Sequence, residues 1–379
     1  MKVKFFASTV AKHVLGVVIT IFLVSCSSAP EKPKPAELAV NPGLIGVRLA
    51  WTSKVGLVDF PLEIKVDGAS VAIASSAGVI SSFNASTGAE LWRVDVGTQI
   101  SAGVGSDGRF AAVVTRGNEL IGIDAGREIW REKMSAQSYT PPLVIAGRIF
   151  VLSADRSITA YDVMSGRKLW NQQRAGESLV LRQSGVLLAV GDTLVAGLSG
   201  RLIGINPING SSRWEVPIAS PRGTNDIERL VDLVGRVSRD ADVICVRAFQ
   251  TSVGCVDASR GTLLWTKPAD GFLGLHGDGQ RIFGVEGDGR IMAWSRLTGE
   301  RDWVSDRLRY RKLTSPLVVG RSVAVGDDAG LVHFLSREDG SVLTRISTDG
   351  SAVAAAPVLA SGTLVVVTRN GGVFGFKPE

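Results

Sequence analysis

The sequence predicts an all-β fold: an eight-bladed β-propeller of four-stranded antiparallel blades, closed by pairing strands from the two ends of the chain. Three observations carry that expectation. A glycine followed four residues later by a tryptophan recurs at Gly88/Trp92, Gly126/Trp130, Gly166/Trp170, Gly210/Trp214, Gly261/Trp265 and Gly299/Trp303, and once more with a substitute at Gly340/Thr344. These glycines lie 38, 40, 44, 51, 38 and 41 residues apart, the length of one four-stranded blade. The two ends are complementary. Leu49-Ala50-Trp51-Thr52 reads as a fourth strand with no first three before it, and Ala354 to Phe376 supplies three strands and no fourth. Joined, they add an eighth blade to seven internal ones, and closure removes the free sheet edges that invite aggregation. An open solenoid or a pair of sandwiches is the alternative, and the blade-length repeat argues against both.

Within a unit, each glycine follows an alternating apolar run ending in a small polar residue, as in Ile121-Gly122-Ile123-Asp124 and Gly254-Cys255-Val256-Asp257. That is a period-2 strand signature, not a helical one. One unit shows the plan: Pro142 to Ile145 is a first strand, Arg148 to Ser153 a second, Ser157 to Asp162 a third and Lys168 to Asn171 a fourth. Between second and third strands stand turn residues such as Arg116-Gly117-Asn118, Ala154-Asp155-Arg156 and Ser199-Gly200-Arg201, which tolerate the positive φ of a hairpin. The repeated glycines are expected to hold positive φ between third and fourth strands, where a Cβ is costly. Each tryptophan is expected to pack on a neighbouring blade, since one aromatic buries roughly 150–250 Å².

The first residues differ in kind. Lys2, Lys4 and Lys12 precede an apolar run from Val14 to Val24, too short to span a bilayer and patterned as an export signal. Leu23-Val24-Ser25-Cys26 resembles the lipobox of bacterial lipoproteins, which implies cleavage before Cys26 and its acylation; Ser27, rather than an aspartate, implies an outer-membrane destination facing the periplasm. Several acyl chains anchor stably where one does not. The expected organisation is therefore a signal peptide over 1–25, lipidated Cys26 with a Pro-rich flexible tether over 26–43, and the propeller over 44–379. At about 3.1 Å per residue the tether reaches about 50 Å. Removing residues 1–25 lowers the formal charge from +6 to +3, too little and too scattered for nucleic-acid binding.

Catalytic and metal constellations are not found. The three histidines, His13, His276 and His333, form no zinc spacing with the cysteines or acids. No strand-to-helix elbow positions a serine nucleophile. Gly287-Asp288-Gly289 and Gly326-Asp327-Asp328 lack the further acids of a calcium loop. Cys245 and Cys255 invite a disulfide in an oxidising compartment. Placing a two-residue turn at Gln250-Thr251, by analogy with Gly117-Asn118 and Asp155-Arg156, sets Cys245 opposite Val256 and Cys255 opposite Val246. The two thiols then point to opposite faces and are expected to be free and buried.

The pattern from Tyr161-Asp162 through Ser165-Gly166 to Trp170 resembles the repeat of quinoprotein alcohol and glucose dehydrogenases, which are eight-bladed propellers carrying pyrroloquinoline quinone. Those enzymes are much longer, and the alcohol dehydrogenases stack the quinone on a disulfide between adjacent cysteines, a pair this chain lacks. The repeat is retained and the redox chemistry set aside, with no cofactor expected. Lipobox, short tether and a single tryptophan-repeat propeller together resemble the BamB family, the propeller lipoproteins of the outer-membrane β-barrel assembly machinery.

Two segments sharpen that resemblance. Ser178-Leu179-Val180-Leu181-Arg182 is similar to the family's Leu-x-Leu-Arg segment, and Asp226-Ile227-Glu228-Arg229-Leu230-Val231-Asp232 to its Glu-Ile-Asp-Arg-Leu-x-Asp connection. The resemblance implies a non-enzymatic scaffold that meets the periplasmic domains of the BamA barrel subunit, with unfolded barrel proteins as a second class of partner. It implies contacts at Leu179, Leu181, Arg182 and Asp232. Val234 stands where the family often has a second acid, so the ionic component is expected to be weakened or moved to Asp226 or Glu228, with Arg229 beside them. Independently of the family, the 51-residue spacing marks Ser220 to Ser238 as a charged insertion, and long ordered connections on a rigid scaffold are common binding sites. A quinoprotein oxidoreductase and an envelope propeller binding glycan are the competing functions.

Overall fold

The computed structural model describes residues 33–379 except 175–178, 223 and 227. Residues 1–25, Cys26, Ser178 and Ile227 lie outside the described residues. Ala36 to Glu379 forms one compact unit, built of eight four-stranded antiparallel sheets. Blade 1 covers 65–95, blade 2 105–133, blade 3 143–173, blade 4 187–217, blade 5 233–268, blade 6 276–305 and blade 7 317–347. Blade 8 joins Val358–Ala360, Thr363–Val367 and Gly372–Pro378 to the first strand of the chain, Val47–Lys54. Its closing register pairs Val47 with Pro378 and Lys54 with Gly372, as the complementary ends predict.

Blade 3 has the four strands expected of it: Leu143–Ile145, Arg148–Leu152, Ser157–Asp162 and Lys168–Gln173. Burial departs from simple alternation. The second and third strands of blade 2, Phe110–Val114 and Glu119–Asp124, each bury four successive residues, because both faces of a blade lie against neighbouring blades. The fourth strands are largely exposed, as in Arg127–Lys133. The small residue in the third-strand run now has a reason: a Cβ on Gly122 would collide with the Trp130 indole on the adjacent strand.

The tryptophans and glycines of the repeat form the seams between blades. Trp130 of blade 2 lies over Gly166 of blade 3, where a Cβ would sit 2.7 Å from the indole. Gly166 has φ +70°, a conformation that glycine adopts without a Cβ penalty. The same docking joins Trp51 to Gly88, Trp92 to Gly126, Trp170 to Gly210, Trp214 to Gly261, Trp265 to Gly299 and Trp303 to Gly340. Indole N–H groups donate across the seam, from Trp130 to the Val163 carbonyl at 2.8 Å and from Trp265 to that of Arg296 at 2.8 Å, so an amphipathic ring is satisfied at both ends.

The links between blades and the turns between second and third strands gather on one side of the ring, the connection face. There Ala154 N–H donates to Gln137 O at 2.7 Å and Arg369 N–H to Ala352 O at 2.8 Å, each joining a turn to the link beside it. Most of these turns have three residues, including 116–118, 154–156 and 249–251, while Ser199-Gly200 is a two-residue turn with both φ positive. That extra residue corrects the expected register in blade 5. Ala248 pairs with Ser252 and Cys245 directly with Cys255, and the two are joined by a disulfide with Cα atoms 4.0 Å apart. The free-thiol expectation fails because it assumed a two-residue turn.

Residues 36–43, expected to belong to the flexible tether, lie with Leu44 along the blade 6–7 link and the outer strand of blade 7. Ala36 N–H donates to Arg309 O at 2.9 Å, the Asn41 amide to Arg345 O at 2.9 Å and Leu44 N–H to Leu343 O at 2.8 Å. Leu38 packs beside Leu308 and Leu313. The segment thus runs from the connection face toward the opposite face before the first strand begins. Among the described residues no helix is long and apolar enough to cross a membrane.

Candidate partner-binding face

Both segments singled out in the sequence are links on the connection face. Residues 174–186 join blade 3 to blade 4, and residues 218–232 join blade 4 to blade 5. The insertion is shorter than its predicted span, since Leu233–Asp240 is already the first strand of blade 5.

Arg156, in the blade 3 turn, clamps the two links together. It is buried, with a side chain only 6% exposed, and its Nη1 lies 3.2 Å from Asp232 Oδ1. Its Nη2 donates to Leu179 O at 3.0 Å, and Leu181 N–H donates to Asp232 Oδ2 at 3.0 Å. Asp232 is therefore mainly a positioning residue, and its carbonyl also accepts from Phe249 N–H at 3.0 Å. Arg182 is exposed, with its guanidinium 6.0 Å from the Tyr139 ring centre. Leu179 is exposed and Leu181 half-buried. Val234 is buried, in a bridge with Gly185, so an acid at that position would be desolvated here.

In the second link Asp226 and Glu228 are exposed and Arg229 is half-buried. The Glu228 carboxylate caps a local turn, accepting from Thr224 N–H at 2.9 Å, and that bond holds its pKa below the ordinary value. The structure thus brings Leu179, Leu181, Arg182 and Asp232 together around Arg156. Asp226 and Glu228 lie on the link that carries Asp232.

Sequence reading missed three participants. The sequence marks Arg156 only as a turn residue, although its φ of +64° is unusual for a non-glycine residue. Gln183 Nε2 donates to Phe272 O at 2.7 Å, tying the blade 3–4 link to that between blades 5 and 6. Phe272 is 37% exposed, an apolar group beside the predicted set. Its link is held from below, where Glu286 accepts from Asp270 N–H at 2.7 Å and pairs with fully buried Arg247 at 2.8 Å. Burial pushes the Glu286 carboxyl up, against the pull of Arg247.

The connection face also surrounds one mouth of an axial channel of about 1430 Å³. Ser184 Oγ donates to the Glu63 carboxylate across it, where burial pushes the Glu63 pKa up against the pull of Ser184 and Arg236. Burial lowers Arg236 to about 10 and His276 to about 3, so the histidine is neutral at pH 7 and accepts from Val318 N–H at Nδ1. Among the described residues no group of three or more His, Cys, Asp or Glu could hold a metal ion. The Cys245–Cys255 disulfide is buried within blade 5, away from the channel lining.

A family model described as outer membrane protein assembly factor BamB matches residues 76–305. A protein of that name from Burkholderia pseudomallei is 34% identical over 366 residues, covering 95% of this chain and 96% of its own. The crystal structure of BamB from Moraxella catarrhalis superposes with a TM-score of 0.79 at 24% identity, covering 87% of this chain and 99% of that one. Quinohemoprotein alcohol dehydrogenase from Comamonas testosteroni has a TM-score of 0.68 at 14% identity over 90% of this chain and 78% of its own, a likeness of fold alone.

Proposed function

The chain belongs to the BamB family of outer membrane protein assembly factors, and from that premise we propose that it is a non-catalytic scaffold whose connection face docks the periplasmic domains of a BamA-like barrel subunit. Its general role is in outer-membrane protein assembly, at the periplasmic side of that membrane. Cys26 would carry the acyl anchor. The observation that supports docking at this face is the Arg156–Asp232 clamp, which fixes two separate links so that Leu179 and Arg182 project from a rigid support. Preorganisation of this kind lowers the ordering cost of association. Exposed Phe272, held through Gln183, extends the apolar part of the surface.

The test is affinity purification of the lipidated chain from detergent-solubilised envelopes. A large barrel protein with periplasmic domains should be recovered, and Arg182→Glu should remove it while changing stability by no more than about 0.5 kcal/mol, as for other exposed charges. Recovery of bound quinone or glycan instead, or an Arg182→Glu variant that retains the barrel partner, overturns the reading.

A further inference from the structure

We propose that the axial channel is a second binding site, which takes an extended acidic peptide segment through the mouth on the connection face. Six basic side chains line it, Lys65, Arg116, Arg182, Arg236, Lys312 and Arg369, against three acids, Asp59, Glu63 and Asp328. That is a formal excess of three positive charges in an enclosure whose low-dielectric walls concentrate the field. The bases come from six different parts of the ring, so the excess is not one chance cluster.

The internal pairing leaves most of this charge uncommitted. Arg116 is bound to Asp59 at 2.9 Å, and Arg236 donates to the Pro357 carbonyl at 2.9 Å. Among the described residues no carboxylate lies within ion-pair distance of Lys65, Arg182, Lys312 or Arg369. Glu63 is engaged by Ser184. Neutral His276 adds no charge.

Size and wall chemistry select a peptide over a small anion. A volume of about 1430 Å³ exceeds what one phosphate fills, and the bases are distributed from the mouth to the first strands. Apolar side chains including Phe60, Leu62, Leu273 and Val353 lie between them, so the lining suits a chain carrying both carboxylates and apolar groups. The first strand of each blade is the end member of its sheet, and an extended peptide can hydrogen-bond to such an edge.

Fluorescence anisotropy of labelled octaglutamate against the full-length chain in detergent tests the proposal. Binding should weaken with added salt, and octalysine should not bind. The double variant Lys312→Glu/Arg369→Glu should weaken binding by about tenfold or more. Both side chains are exposed and neither belongs to the partner-docking links, so the melting temperature and recovery of the barrel partner should stay as in the parent. Failure here is thereby distinguishable from failure of the docking reading. No binding by octaglutamate, undiminished binding by the double variant, or displacement by inorganic phosphate at equal charge concentration would each overturn the proposal, the last by indicating isolated anion sites.

Discussion

Seven seams of this ring are alike and the eighth is not. In seven of them a fourth-strand tryptophan lies on a glycine turn of the next blade, from Trp51 on Gly88 through Trp303 on Gly340. Between blades 7 and 8 the equivalent position is Thr344, which is buried, and there is no glycine turn to receive an indole. The turn is missing because the third strand of blade 8 ends the chain and its fourth strand begins it. Residues 36–46 occupy the gap: Ile45 and Val47 pack in one cluster with Leu343, Phe374 and Phe376. A repeat device secures seven seams, and a chain terminus secures the one that the repeat cannot reach.

Truncation should separate the two solutions most sharply. Deleting residues through Ser53 removes the closing strand and Trp51 together, leaving the third strand of blade 8, Gly372–Pro378, with an unpaired outer edge. Its thermal transition should fall by far more than that of a deletion through Lys34, which spares every segment contact described above. A deletion through Pro42 should lie between, since it removes the hydrogen bonds of Ala36 and Asn41 and the packing of Leu38, with each hydrogen bond contributing about 0.5–1.5 kcal/mol. Equal melting of the longest and shortest deletions would show that closure does not depend on the first strand.

Next in size is a single seam. Trp130→Ala should cost about 3–5 kcal/mol through the cavity it leaves, measured by urea denaturation, whereas Thr344→Ala should cost less than half of that. If the two variants are equally destabilised, the tryptophan seams are no stronger than the substitute. Stabilisation within a blade provides the smallest of these contrasts. Cys245→Ala/Cys255→Ala should cost about 2–3 kcal/mol for a loop of this size. Intact mass after alkylation in denaturant without reductant should show neither cysteine labelled, and labelling of both would refute the disulfide.

The same contrast explains what the sequence could disclose. Blade number, strand order and the terminal closure were legible because repetition sampled each feature several times, and because Gly166 or Gly210 permits little else at its turn. The exceptions were illegible for the corresponding reason. The blade 5 register hinged on one turn residue, Phe249, whose inclusion moved Cys245 from Val256 to Cys255. Asp232 read as a contact residue because the cation that holds it, Arg156, lies 76 positions away in sequence. Leu38 and Asn41 gave no sign of docking, since a proline-rich segment carries no period and its binding surface is assembled only by the folded blade 7.

The closing register also sets an order of events. Val47 leaves the ribosome among the first residues of the propeller, and its partner Pro378 among the last. At roughly 5–20 residues per second, the opening strand waits tens of seconds before it has anything to pair with, longer if export intervenes. Its composition suits that wait. Arg48 and Lys54 flank Trp51 in a strand whose residues remain largely in contact with water even when paired, which is how charged strands resist premature association. Blades 1 to 7 can assemble before the closing strand has its partner, and the ring becomes a ring only when Gly372–Pro378 arrives.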